Sequence, residues 1–252
     1  MNNLTVSFID QTDRGHILCW ATSADKGGII LVKDHPRGES EHVSAELVAL
    51  SYLIFEKNVF CRKSIYSGKG MHIHVSSQQI LDLTVSNCRE LALPSHSTFM
   101  KSRLYGCKVS LIDSVQLELL TSANRQSEID EIIFPLAADH SCLATPCMGL
   151  IRISEHAISQ YVDRLKTGSP LDPLRSMAKR LMNPRIEPQK LPRAVTFHKT
   201  LKHGVTKLTE HWGHSSDDVH FVVVRDPQTK VGTVVTTYIR PPQFMVATLK
   251  ST

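Results

Sequence analysis

The segment "GTVVTTYIRPP", residues 232–242, sets two hydroxyls and a phenol (Thr236, Thr237 and Tyr238) in a β-branched run that Pro241 and Pro242 stop. Such residues fit a pleated, half-buried surface on packing grounds alone, so a chemical role needs partners elsewhere in the chain. Side chains alternate across a strand, which puts Thr236 and Tyr238 on one face and Thr237 on the other. Candidate partners lie upstream. His156 and Arg164 are eight residues apart on a predicted helix, two turns and a little more, and project from neighbouring parts of one face. "TFHKTLKHG" adds His198, Lys199, Lys202 and His203. An imidazole titrates near pH ~6.5, so histidine can take or give a proton at neutral pH.

The chain carries a net charge of +5, unevenly spread. Residues 152–207 hold twelve Lys or Arg, Arg175, Lys179 and Arg180 among them, against Glu155, Asp163, Asp172 and Glu187, an excess of +8. Clustered cations displace counterions from a nucleic-acid backbone, so phosphate, and RNA in particular, is the expected partner of this surface.

Hydrophobic content of 41% with 21% charged residues excludes a disordered chain, and no apolar run approaches the ~20 residues of a membrane helix. No membrane association is expected. The opening "MNNLTVSFIDQTD" shows neither a basic region nor an apolar stretch before a small-residue cleavage site, which gives cytoplasm as the expected location. The six cysteines lack the density of a disulfide scaffold and read as reduced thiols. Cys142 and Cys147, beside His140, have no matching second pair, so no metal and no cofactor is expected there.

These residues must be placed by elements of two kinds. "LTVSFIDQTDRGHILCWATSADKGGIILVKDH" reads as two or three antiparallel strands parted by the turns "TDRG" and "DKGG". In "EHVSAELVALSYLIFEK", Val43, Leu47, Leu50 and Ile54 recur at helical spacing, with Ser44 as a possible N-cap. "MHIHVSSQQILDLTV" gives a strand running into a helix near Ser76, "CKVSLIDSV" a further strand, and "NRQSEIDEIIFPLAA" a helix. Few periodic positions and two prolines in "PLAADHSCLATPCMG" place a domain boundary near residues 136–149. Beyond it "LIRISEHAISQYVDRL" is a short β run and a helix capped by Ser154, and "PLRSMAKRLM" is a second helix ending at Asn183 and Pro184. "AVTFHKTL", "DVHFVVVRD" and "GTVVTTYIR" close the chain as strands. The expected fold class is α+β/α/β: a mixed sheet with helices over residues 1–140, then a smaller domain of helices and an antiparallel sheet over 150–252.

The order of the first half, with Asp10 in "SFIDQTD", Glu46 in "SAELVAL" and Asp130 in "NRQSEIDEI", resembles a ribonuclease H-like domain over roughly residues 4–140. In that family converging carboxylates hold two divalent metals that activate water and stabilise the leaving oxygen of a phosphodiester. Here the position at the end of "MHIHV" is Ser76 where the family's pattern has Asp, and Asp82 lies six residues on, about 9 Å along a helix. The resemblance therefore implies a degenerate site with weak or absent metal binding, serving as a platform for nucleic acid or a partner.

The second half, with "SEHAISQYVDR" early, a His/Lys-bearing strand in the middle and "VVTTY" at the end, resembles the barnase/colicin/RelE-type ribonuclease fold over about residues 150–240. That resemblance implies RNA cleavage without metal: the RNA's own 2′-hydroxyl attacks the adjacent phosphate while a base and an acid move protons and donors stabilise the phosphorane. It gives His156 the first proton-transfer role with His198 or His203 as counterpart, Arg164 and Lys199 as phosphate holders, and Thr236, Thr237 or Tyr238 as hydrogen-bond donors. Arg175, Lys179, Arg180, Lys202 and His203 would grip the nucleic acid. Toxin-like ribonucleases are often held by an acidic neutralising protein, a further implied partner. The expectation is an RNA-directed, metal-independent endoribonuclease; the alternative is a non-catalytic nucleic-acid or protein-binding regulator built from degenerate nuclease folds.

Overall fold

Leu4 and Val6 alternate with Thr5 and Ser7, and this period of two builds a strand that is buried on both sides at its centre. The computed structural model describes residues 2–34, 40–62, 66–85, 94–123, 129–134, 140–165, 168, 170–190 and 209–239. The chain divides into two compact units, Met1–Ser141 and Cys142–Thr252, and is of the α+β class, with two six-stranded mixed sheets and six α-helices among the described residues. None of those helices is long and apolar enough to cross a membrane.

In the first unit β1 (Asn2–Thr12), β2 (Gly15–Ser23) and β3 (Lys26–Lys33) form an antiparallel meander. Gly15 turns the first corner at φ +135°, where an added Cβ would lie 2.2 Å from the Val32 carbonyl oxygen, so no side chain fits. β4 (Met71–Val75) runs parallel beside β1, β5 (Lys108–Leu111) parallel beside β4, and β6 (Ile129–Ile133) parallel beside β3. The order across the sheet is β5-β4-β1-β2-β3-β6.

Helix α1 (Glu41–Ser51) covers one face and is buried from Val43 onward. It widens into a π turn over Tyr52–Glu56, where the Lys57 N–H donates to the Tyr52 carbonyl at 2.9 Å. Val43, Leu47, Leu50 and Ile54 are all fully buried, each contributing roughly 1.5–3 kcal/mol by leaving water. Ser44 is not the N-cap: the helix starts three residues earlier, and the Ser44 hydroxyl donates back to the Glu41 carbonyl at 3.1 Å. Helices α2 (Gln78–Val85) and α3 (Pro94–Ser102) join this layer, while α4 (Ser114–Ala123) lies on the other face, with Leu120 against Cys19 and Ala21.

Residues 129–133, expected to be helical, form β6 instead. Ile29–Lys33 of β3 offers five ladder partners, and Ile129, Ile132 and Ile133 are β-branched, so pairing overrides the helical spacing of "SEIDEII".

In the second unit the order is β7-β8-β12-β11-β10-β9, built from β7 (Leu143–Thr145), β8 (Gly149–Ile153), β9 (Glu187–Pro188), β10 (Thr209–Gly213), β11 (Val219–Arg225) and β12 (Gly232–Ile239). All pairs are antiparallel except β8 with β12. Helices α5 (Glu155–Arg164) and α6 (Pro173–Leu181) follow β8. Ser154 caps α5, its Oγ accepting from the Ala157 N–H at 3.1 Å, and Asp172 caps α6, accepting from the Arg175 N–H at 3.1 Å with Pro173 just inside. The expected strand "AVTFHKTL" lies outside the described residues.

Ile151, Ile153, Phe221, Val223 and Val234 line the sheet face covered by the helices, which bring Ile158, Tyr161 and Met177 to it. A β-bulge interrupts β12. Val223 pairs with Val234 but Val222 pairs with Thr236, so Val235 is the extra residue. Beyond it the alternation is reversed: Thr237, 1% exposed, falls on the covered face with Val234, while Thr236 and Tyr238 turn to the opposite face.

Candidate functional site

The acids named from the sequence do not converge. Glu46, in the middle of α1, is fully buried and spends both carboxylate oxygens on Ser76, accepting from its N–H and from its hydroxyl, each at 2.7 Å. The Ser76 Oγ also accepts from the Phe8 N–H at 3.3 Å, which ties the ends of β1 and β4 to the helix. Burial pushes the Glu46 carboxyl up to about 7, against the two Ser76 bonds that favour its charged form. Asp10 is exposed on β1, where its carboxylate accepts from the Gln11 N–H at 2.8 Å. Asp130 sits on β6, three strands from β1, so roughly 14 Å away across the sheet, and pairs with Lys57 at 2.5 Å. Asp82 accepts from the Gln78 side chain at 2.8 Å. A two-metal centre needs several carboxylates with free oxygens around one point; among the described residues no group of three or more His, Cys, Asp or Glu meets that need. The donor set does not fit a divalent pair. In the first unit His140 Nε2 bonds Glu56 at 3.0 Å, and in the second the Cys147 thiol donates to the Pro184 carbonyl at 3.3 Å.

In the second unit the structure separates residues that the sequence grouped. His156 is exposed in the first turn of α5. Arg164, at the other end of that helix, donates through Nη1 to the Thr237 carbonyl, on a strand that β8 pairs with only as far as Val234. Its guanidinium thus replaces a missing strand neighbour. Arg180 is held by the Tyr161 hydroxyl at 2.8 Å and by an ion pair with Asp217. Arg175 and Lys179 are exposed one helical turn apart on α6. His198, Lys199, Lys202 and His203 lie outside the described residues. Since α5 packs on the Val234 and Thr237 side of β12, the structure does not gather His156 and Arg164 with Thr236 and Tyr238, which occupy the reverse side.

Two histidines that sequence reasoning passed over share that reverse side. His211 on β10 and His220 on β11 flank Tyr238, with ring centroids 5.7 Å and 5.2 Å from the phenol. Tyr238 is the register partner of His220, and Thr236 that of Val222, so the three strands present one surface. Gly213, opposite His220, makes room for the ring: an added Cβ would lie 2.5 Å from its Nδ1. His220 is 1% exposed and His211 7%, whereas Thr236 and Tyr238 are half-buried. Arg152, on β8, is on the same face beside Thr233 and about 14 Å along the strand from Tyr238. The available signal was the alternation in "DVHFVVV", which puts His220 opposite to Phe221 in facing.

Two imidazoles flanking a phenol can supply one proton acceptor, one proton donor and a hydrogen bond to developing negative charge. Compared with known proteins, the chain matches no family model, no curated sequence and no solved structure.

Proposed function

We propose that the chain is an RNA-directed protein whose second unit is a metal-independent endoribonuclease resembling the barnase/colicin/RelE type, and whose first unit is a ribonuclease H-like platform without a working metal centre. The convergence of His211, His220 and Tyr238 on one sheet face carries this reading. One imidazole takes the 2′-hydroxyl proton, the other protonates the departing oxygen, and Tyr238 with Thr236 donates to the phosphorane oxygens. Arg152 holds a phosphate farther along the strand, and the +8 segment draws the polyanion in. The strand order of the first unit, an antiparallel meander with parallel strands added beside β1, supports the ribonuclease H-like reading, and the Glu46–Ser76 bonds support the loss of its metals.

One observation favours a second reading, a non-catalytic binder of nucleic acid or of an acidic protein: His220 is almost wholly buried. Incubation with RNA in excess chelator separates the two. Cleavage that persists, and is lost in His220→Ala and His211→Ala but kept in His156→Ala, is expected. Binding without cleavage in the wild type establishes the second reading, and cleavage abolished by chelator removes the first.

A further inference from the structure

A second imidazole cluster lies in the other unit and is independent of the proposed ribonuclease site. His72 and His74 are two apart on β4, so both face the side of the sheet opposite α1, with ring centroids 4.0 Å apart. Their nitrogens meet at one atom: the Ser110 Oγ on β5 lies 2.9 Å from His72 Nε2 and 3.1 Å from His74 Nδ1. Ser110 is the register partner of His74 on one side, and Thr5 of β1 is its partner on the other. Thr5 is 1% exposed and its Oγ1 has no hydrogen-bond partner.

A late first-row divalent ion binds imidazole at about 2.0–2.1 Å, and at right-angled positions two donors then stand about 2.9 Å apart. The observed separations of 2.9 and 3.1 Å between each ring nitrogen and the Ser110 oxygen match that edge. The Ser110 hydroxyl can donate to one ring and accept from the N–H of the other, and a cation that displaced those protons would find the three lone-pair atoms already turned to one point. Ser110 and His72 are half-buried, which leaves a way in from solvent.

We propose that His72, His74 and Ser110 form a binding site for a borderline divalent transition-metal ion, with Cu²⁺ the strongest binder by the usual order of affinities. With two imidazoles and one hydroxyl the site keeps open positions for water. The Lys108 charge acts on both rings and opposes a cation, while Asp113 acts on His74 in the other direction, so the site is of modest affinity and salt-sensitive.

The test is titration of the full chain with Cu²⁺, read by calorimetry and by electron paramagnetic resonance. One ion per chain is expected at this site, with hyperfine splitting from two nitrogens. His72→Ala and His74→Ala should each weaken binding at least about tenfold and leave one nitrogen, Lys108→Ala should tighten it, and His214→Ala should leave both the affinity and the spectrum unchanged. Circular dichroism checks that each variant is folded, and Ser110→Asp, which puts a carboxylate at the meeting point, should tighten binding without removing either ring. Absence of stoichiometric binding, or an unchanged two-nitrogen signal in the His72→Ala, His74→Ala double variant, overturns the proposal.

Discussion

In the first unit Asp10, Glu46 and Asp130 end at the exposed tip of an inner strand, inside a buried helix and on a distant strand, each with a local partner of its own. In the second, His211, His220 and Tyr238 come from three successive strands and meet on one face. The difference lies in what each side chain is satisfied by. A carboxylate deep in the first unit is bound by a serine that also ties the strand ends together, a role that holds the fold and leaves no oxygen for a cation. On the second sheet the ladder satisfies the backbone, the helices take the other face, and the polar rings pack against one another. Convergence of side chains, and not their chemical type, separates a site from a set of anchors.

The sharpest way to break this contrast is to remove the ring at its centre. His220→Ala is expected to lower chelator-resistant RNA cleavage by about 10²–10⁴-fold, while Asp10→Ala and Asp130→Ala leave it unchanged, measured as initial rates on a labelled RNA. Equal losses in all three would dissolve the distinction between the units.

Next comes the buried acid. The Glu46 carboxyl titrates near 7 in the fold and near 4.5 when unfolded, so its contribution is fully present below about pH 4.5 and is lost as pH rises through 7. The loss amounts to about 3 kcal/mol. Glu46→Gln keeps an acceptor for the Ser76 N–H and removes the titration. Urea unfolding of the first unit should then be flatter between pH 4.5 and 7.5 than in the wild type, and the variant should be the more stable above pH 7.

A smaller effect is expected at Gly213. Gly213→Ala drives a methyl group into the His220 ring and should cost about 1–3 kcal/mol, seen as a lower denaturation midpoint, together with reduced cleavage. Cleavage at the wild-type rate would show that the ring's placement is immaterial.

The smallest change is expected on α6. Arg175→Ala and Lys179→Ala, on the helix layer, should each reduce the slope of log affinity against log salt by about 1 and leave the rate at saturating RNA alone. A rate loss there would bring the helices into the site.

The meander, the buried stripe of α1, the cap at Ser154 and the final hairpin were legible because each rests on local chemistry: turn residues, a 3.6-residue period, a serine before a helix, alternation between two turns. Residues 129–133 were misread because Ile129, Ile132 and Ile133 suit both periods, and only the presence of β3 as a neighbour decides between them. The site was half legible. Thr236 and Tyr238 were correctly set on one face, but the sequence alone does not say which face the helices take. Placing His156 and Arg164 with them therefore assumed a common cleft, whereas α5 packs on the Val234 and Thr237 side of the strand. His211 and His220 were missed because their closeness spans two strand pairings, and no spacing within either strand reports it.

One inserted residue, Val235, decides which way the last third of β12 points. Were it drawn into the ladder instead of bulging out, Tyr238 would swing among the helices and Thr237 would take its place beside the histidines; were it excised, the ladder would run on regularly and Tyr238 would stay where it is. A slip of one residue in the pairing, with no change of sequence, is thus enough to turn the tyrosine's outlook from one side of the sheet to the other.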